Sequence, residues 1–203
     1  MNIERIFLAN GYNVGIYNTD YYNSSIYKSN EHDNENIIIK KDGIDLECSF
    51  WHVPYKYDNY INFNNYITFT IVRNPYSRLL SEYNWNEFGK FYKLEPNTED
   101  VNEFIESFLN NGEISYDGDC HLIPQIEYIY DYYGNKVENI LKQETLDEDI
   151  SKFIEKYKLD IKYTNEVYNS QKSKNLQISD LSEKSVMIIS KYFKLDFDIF
   201  NYN

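Results

Sequence analysis

The chain is poor in alanine, cysteine and positive charge, and each shortage excludes something. Ala9 is the only alanine among 203 residues, whereas 22 Tyr and 12 Phe supply much of the 42% hydrophobic content. With Asn, Ile and Lys also abundant, this is the bias of an AT-rich coding sequence. Tyr-rich stretches such as Tyr128 to Tyr133 therefore read as core and surface filler rather than a stacking platform. Cys48 and Cys120 are the only cysteines, too few for a disulfide framework, and the sequence leaves one bridge and two reduced thiols equally open. Twenty Lys+Arg against 33 Asp+Glu give 20 − 33 = −13. That field repels nucleic acid, anionic membrane and heavily sulfated polysaccharide, while permitting a local basic pocket. No apolar run approaches the length of a membrane span, and the first residues lack the basic region and apolar stretch of a signal peptide. As written, the chain carries neither signal nor anchor and reads as cytoplasmic. There is no internal repeat, heptad run or long linker, so residues 1–203 are expected to form a single domain large enough for its own core.

Strand and helix signals alternate along the sequence. Residues 3–10 read as a helix stopped by Gly11, residues 18–36 as a polar irregular segment, and Ile37 to Ile39 as a short strand. Residues 66–72 (YITFTIV) are the strongest strand signal, β-branched, aromatic and apolar enough to be buried. A helix should follow directly, with Asn74 as N-cap, Pro75 at its first position and Leu79, Leu80 and Tyr83 as its apolar stripe. Further helices are expected at 99–110, 122–133, 145–158 and about 180–194, the third opened by a Thr145/Glu148 capping box, with a strand over 136–141. This alternation favours an α/β fold with a parallel sheet.

The most informative segment runs from Phe69 to Ser81, FTIVRNPYSRLLS. A buried strand ends in Arg73, and a capped helix starts right behind it. Ligands bind at the carboxyl ends of strands in open α/β sheets, and a helix N-terminus there offers N–H groups and a positive dipole end to an anion. The planar guanidinium of Arg73 suits two phosphate oxygens, although a structural ion pair is an equal reading. Ser81 lies eight residues on, about two helical turns away, where its hydroxyl can reach an anion lying along the helix. Arg78 falls on a different side and reads as a structural partner for a carboxylate.

R-N-P-x-x-R-x-x-S after an apolar strand resembles the 3′-phosphate motif of sulfotransferases that use 3′-phosphoadenosine 5′-phosphosulfate (PAPS). It is most similar to that of the Golgi carbohydrate sulfotransferases. Four further stretches resemble the same family in the same order. They are Phe50 to Tyr55 (FWHVPY), Asp119 to Gln125 (DCHLIPQ), Val137 to Ile150 (VENILKQETLDEDI) and Tyr192 to Tyr202 (YFKLDFDIFNY). The likeness is strongest over residues 45–203. It implies a P-loop-like α/β domain with a central parallel sheet flanked by helices. The implied donor is PAPS, leaving as adenosine 3′,5′-bisphosphate, with no metal, and the implied acceptor is a glycan hydroxyl. An acidic body makes a neutral or weakly charged glycan the better acceptor. Oligomeric state is not legible, and the related enzymes usually work in the Golgi lumen.

By the same resemblance, Arg73 and Ser81 hold the donor's 3′-phosphate. Sulfuryl transfer needs a base for the acceptor hydroxyl, and histidine suits that task near neutral pH. The resemblance to 2-O-sulfotransferases assigns it to His52, with a packed, backbone-bonded histidine as the bland alternative. His121 is the competing base or an orienting residue, and His32 lies in a polar stretch. Lys172, in a late QKSKN segment, is a further contact to the 3′-phosphate or simply a solvated loop residue. Cys48, His52, Cys120 and His121 do not follow a standard zinc spacing.

The family's other hallmark, a P-K-x-G-S/T-S/T loop whose lysine and amides hold the 5′-phosphosulfate, does not occur in the 203 residues. Residues 3–15 resemble the end of the helix that follows this loop, so the chain is expected to be N-terminally truncated. Two readings follow: a sulfotransferase whose activity is in question, or a catalytically inactive binding or interaction module of the same fold. A nucleotide kinase is disfavoured because no Walker loop is present.

Overall fold

A computed structural model describes residues 3–12, 37–41, 44–49, 52–84, 98–109, 120–163 and 176–203. Its centre is a parallel pair, β3 (Phe69–Val72) and β4 (Asn139–Lys142), with Phe69 opposite Asn139 and Val72 opposite Lys142. A separate antiparallel hairpin joins β1 (Ile37–Lys41) to β2 (Ile44–Cys48). The helices are α1 (Ile3–Ala9), α2 (Pro75–Asn84), α3 (Thr98–Phe104), α4 (Leu146–Tyr157), α5 (Glu183–Tyr192) and α6 (Lys194–Phe200). One turn of π-helix, Ile105–Leu109, continues α3.

Successive strand residues point to opposite faces, and the packing follows that period. Phe69, Ile71 and Leu141 join a cluster with Ile6 and Phe7 of α1 and Leu146, Ile150 and Phe153 of α4. Phe7 stacks on Phe69 with ring centroids 5.5 Å apart. Val72 and Ile140 face the other way, toward Ile61, Phe63, Ile129, Val137 and Phe200. The pair is thus covered on both faces, which is why adjacent apolar residues, Ile71-Val72 in β3 and Ile140-Leu141 in β4, can each be packed on opposite sides. Helix α2 turns Leu79, Leu80 and Tyr83 into a third cluster with Val101, Phe104, Ile105, Leu109, Leu122, Ile189 and Phe193. Among the described residues no helix is long and apolar enough to cross a membrane.

Two expected elements differ. The helix expected over 122–133 is only a 3₁₀ turn, Gln125–Tyr128, started behind Pro124 and followed by an Asp131 turn. The Asp131 carboxylate accepts the N–H groups of Phe63, Tyr133 and Asn135 and the Asn135 amide. The bonds to Tyr133 and Asn135 are local and offer the backbone an alternative to helix. Desolvation pushes this carboxyl up, but the hydrogen bonds outweigh it and hold it below its usual value. The Thr145/Glu148 capping box does not form. Thr145 Oγ1 donates instead to Asp149 Oδ2 at 3.0 Å, and the same oxygen accepts the Lys142 N–H at 2.8 Å, tying the start of α4 to β4.

Candidate active site

Strand β3 ends at Val72, and α2 begins three residues later. Asn74 is the predicted N-cap: its Oδ1 accepts the N–H of Tyr76 at 2.9 Å and of Ser77 at 3.4 Å. Its carbonyl accepts the Arg78 N–H at 2.8 Å. Pro75 has no N–H, so the first-turn donors of α2 are spent internally. The Asn74 N–H itself donates to Glu144 Oε1 at 2.7 Å, while Glu144 Oε2 accepts the Tyr202 hydroxyl at 2.9 Å. The expectation of open N–H groups awaiting an anion is therefore corrected: a side-chain amide and a carboxylate of the chain itself already fill them.

Arg73 is held by its backbone. Its N–H donates to Gln125 Oε1 and its carbonyl accepts from Gln125 Nε2, both at 2.8 Å. Gln125 is in turn fixed by Asp196, fully buried, whose carboxylate accepts the N–H groups of Gln125 and Ile126 at 2.8 and 2.9 Å. Burial pushes the Asp196 carboxyl up, opposed by those bonds and by the charge of Arg78. The Arg73 guanidinium, half-buried, makes no hydrogen bond or ion pair among the described residues. Burial lowers its pKa, opposed by the nearby negative charge of Glu144.

Ser81 is exposed. At 100° per residue it lies on the side of α2 roughly opposite the buried stripe of Pro75, Leu79, Leu80 and Tyr83. Arg78 and Glu82, one turn apart, occupy a different side and reach the same segment. Arg78 donates to the backbone carbonyls of His121 and, at 2.8 Å, Ile123, so its hydrogen-bond partners are carbonyls, while the carboxylate its charge acts on is Asp196. Glu82 Oε1 lies 2.7 Å from His121 Nδ1, and His121 Nε2 lies 3.2 Å from His52 Nδ1.

The two candidate bases, 69 residues apart in sequence, are thus neighbours with ring centroids 4.5 Å apart. Their segments are tied together further. Cys48 and Cys120 form a disulfide with Cα atoms 5.2 Å apart, deciding between the two cysteine readings. With both sulfurs bonded to each other they are not thiolate ligands. The Tyr128 hydroxyl lies 3.0 Å from the His52 carbonyl and 3.2 Å from that of Cys120. Cys120 has φ +62°, a left-handed conformation unusual outside glycine, directly before His121.

Lys172 lies outside the described residues. Four residues that shape the site were not singled out from sequence: Glu82, Gln125, Glu144 and Asp196. The last three stand inside the stretches DCHLIPQ, VENILKQETLDEDI and YFKLDFDIFNY, which is the signal they carried. Glu82 carried only its spacing, one turn after Arg78.

The site gathers a lone arginine at a strand end and a carboxylate-backed histidine pair about two turns along the adjoining helix. No curated protein and no solved structure gives a significant match to the chain. The model of the Sulfotransferase family matches residues 5–203, and the chain belongs to that family.

Proposed function

We propose that the chain binds PAPS through Arg73 and transfers its sulfuryl group to a carbohydrate hydroxyl. The observation that carries this reading is Arg73 itself: a guanidinium at the carboxyl end of a parallel strand, its backbone fixed by Gln125, making no hydrogen bond or ion pair among the described residues and sensing Glu144 only as a nearby charge. A buried or half-buried cation in that state fits an anionic ligand better than a structural ion pair. Ser81 would meet the same 3′-phosphate from the outer side of α2, and Lys172 would add a third contact.

His52 would take the proton of the acceptor hydroxyl as its oxygen attacks sulfur. The bond from sulfur to the bridging oxygen breaks, and its electron pair leaves with adenosine 3′,5′-bisphosphate. No metal is needed for that balance. The acceptor class, a neutral or weakly charged glycan, rests on the −13 net charge, which disfavours a densely sulfated one. A disulfide belongs to oxidising compartments, which fits the lumenal setting of the related Golgi enzymes better than the cytoplasm.

Calorimetry tests the reading. Adenosine 3′,5′-bisphosphate should bind more tightly than adenosine 5′-phosphate, and Arg73→Ala should abolish the preference. The loss of one charge-assisted phosphate contact is about 1.5–3 kcal/mol, roughly 10- to 100-fold. Equal affinity of the wild type for the two nucleotides would overturn the phosphate assignment. The second reading is a non-catalytic binding module of the same fold. It predicts retained bisphosphate preference with no transfer of labelled sulfate from PAPS to any glycan.

A further inference from the structure

We infer that Glu82 is a positioning residue: through His121 it fixes the tautomer of His52, so that His52 presents a basic Nε2. This rests on the sulfotransferase reading for its use, but not for its geometry. An ionised carboxylate only accepts, so at 2.7 Å the Nδ1 of His121 must carry the proton it shares with Glu82 Oε1. In the neutral ring that leaves the lone pair on Nε2 of His121. Nε2 then accepts, across 3.2 Å, from Nδ1–H of His52. With its proton on Nδ1, the neutral His52 ring carries its lone pair on Nε2. One carboxylate thus sets the proton positions of two rings in series, as a hydrogen bond on one ring nitrogen fixes the role of the other.

The surroundings keep this chain in register. Glu82 and His121 side chains are 19% and 24% exposed, so their bond is largely shielded from competing water. Arg78, one turn before Glu82, holds the backbone carbonyls of His121 and Ile123, so α2 grips both ring and main chain of that segment. The Cys48–Cys120 bridge and the Tyr128 hydroxyl tie the His52 segment to the His121 segment. The charged and titratable groups bonded to the pair or its backbone in these contacts are Glu82, Arg78 and Tyr128. When His52 Nε2 takes the acceptor's proton, the ring becomes an imidazolium that keeps donating Nδ1–H to His121. No second proton has to move, and the Glu82 charge is placed to stabilise the new cation.

The test is nitrogen NMR of the ¹⁵N-histidine-labelled full chain at about pH 8.5, where unperturbed imidazoles are neutral. The chain has three histidines, so three ring patterns are expected, assigned through the backbone. His121 and His52 should both be Nδ1–H tautomers in the wild type. Glu82→Ala should convert His52, a ring that Glu82 does not touch, mainly to the Nε2–H form. Glu82→Gln, which keeps a carbonyl acceptor, should restore most of the Nδ1–H population. Three results would each overturn the inference: a wild-type His52 in the Nε2–H form, a doubly protonated His121 at that pH, or a His52 pattern unchanged by Glu82→Ala. The wild-type spectrum alone decides the tautomer if the alanine variant does not fold. Because no donor or acceptor is present, the outcome stands apart from the nucleotide-binding test. Loss of bisphosphate preference with the tautomers intact would sink the functional reading and leave this one.

Discussion

At the N-terminal end of α2 the backbone is fixed and a charged side chain is left over, while toward its C-terminal end the side chains are fixed as well. Arg73 is clamped through its N–H and carbonyl by Gln125, yet its guanidinium makes no hydrogen bond or ion pair among the described residues. About 10 Å along the helix axis, Glu82, His121 and His52 already bond to one another. On the proposed reading, with His52 as the base and Arg73 as the anion-binding cation, the difference separates two kinds of pre-organisation. A base must hold one tautomer before the substrate arrives, so its partners are built in. A binding cation works best if the ligand completes its coordination, so its partner is left out.

The largest expected effect breaks the built-in end. The disulfide closes a loop with a sequence separation of 72 residues. Removing it in the Cys48→Ser/Cys120→Ser variant should lower stability by about 4 kcal/mol on the chain-entropy account, measured by urea unfolding. Histidine tautomers should also lose definition, while bisphosphate affinity of the folded fraction changes little. A variant with intact tautomers would show that Arg78 and Glu82 suffice to hold His121. Reduced affinity would mean the two ends are coupled rather than independent.

The next effect falls on both ends at once, because Asp196 orients the Gln125 clamp and neighbours Arg78. Asp196→Asn turns one acceptor oxygen into an NH₂ facing a buried backbone N–H, which should cost about 1–3 kcal/mol. Burial raises this carboxyl in the folded state. Its contribution to stability is therefore full below the unfolded value of about 3.9 and is lost as pH rises through the folded value. Stability of the wild type should fall through that window, and Asp196→Asn should remove that slope. The opposite slope would mean that the backbone bonds and Arg78 outweigh burial.

Local chemistry made part of this legible. The run FTIV followed by R-N-P placed β3, its arginine and the Asn74 cap within a few residues, because each is decided by neighbours in sequence. Strand β2 went unread although Asp42-Gly43, a strong two-residue hairpin signal, separates Ile37–Lys41 from Ile44–Cys48. What failed was decided at long range. Gln125 meets Arg73 across 52 positions and Asp196 across 71, and Glu144 meets Asn74 across 70. No periodicity or propensity encodes such pairs. The mis-expected helix over 122–133 lost to Asp131, whose four hydrogen bonds organise a turn where the apolar spacing alone suggested continuity.

The smallest effect probes the end left open. Glu144 sits on the Asn74 N–H and the Tyr202 hydroxyl and opposes any anion that approaches Arg73. Glu144→Gln keeps a carbonyl for Asn74 and an NH₂ for the Tyr202 oxygen, so the local geometry should survive while one negative charge disappears. Glu144 is exposed, and the repulsion it exerts is screened. Affinity for adenosine 3′,5′-bisphosphate should therefore rise only about threefold at low salt, and the gain should shrink as salt is added. Affinity for adenosine 5′-phosphate should move less, since that ligand brings no 3′ charge to Arg73. If Glu144→Gln weakens bisphosphate binding instead, the carboxylate aims Arg73 rather than competing with its ligand, and the contrast between the two ends of α2 becomes one of degree.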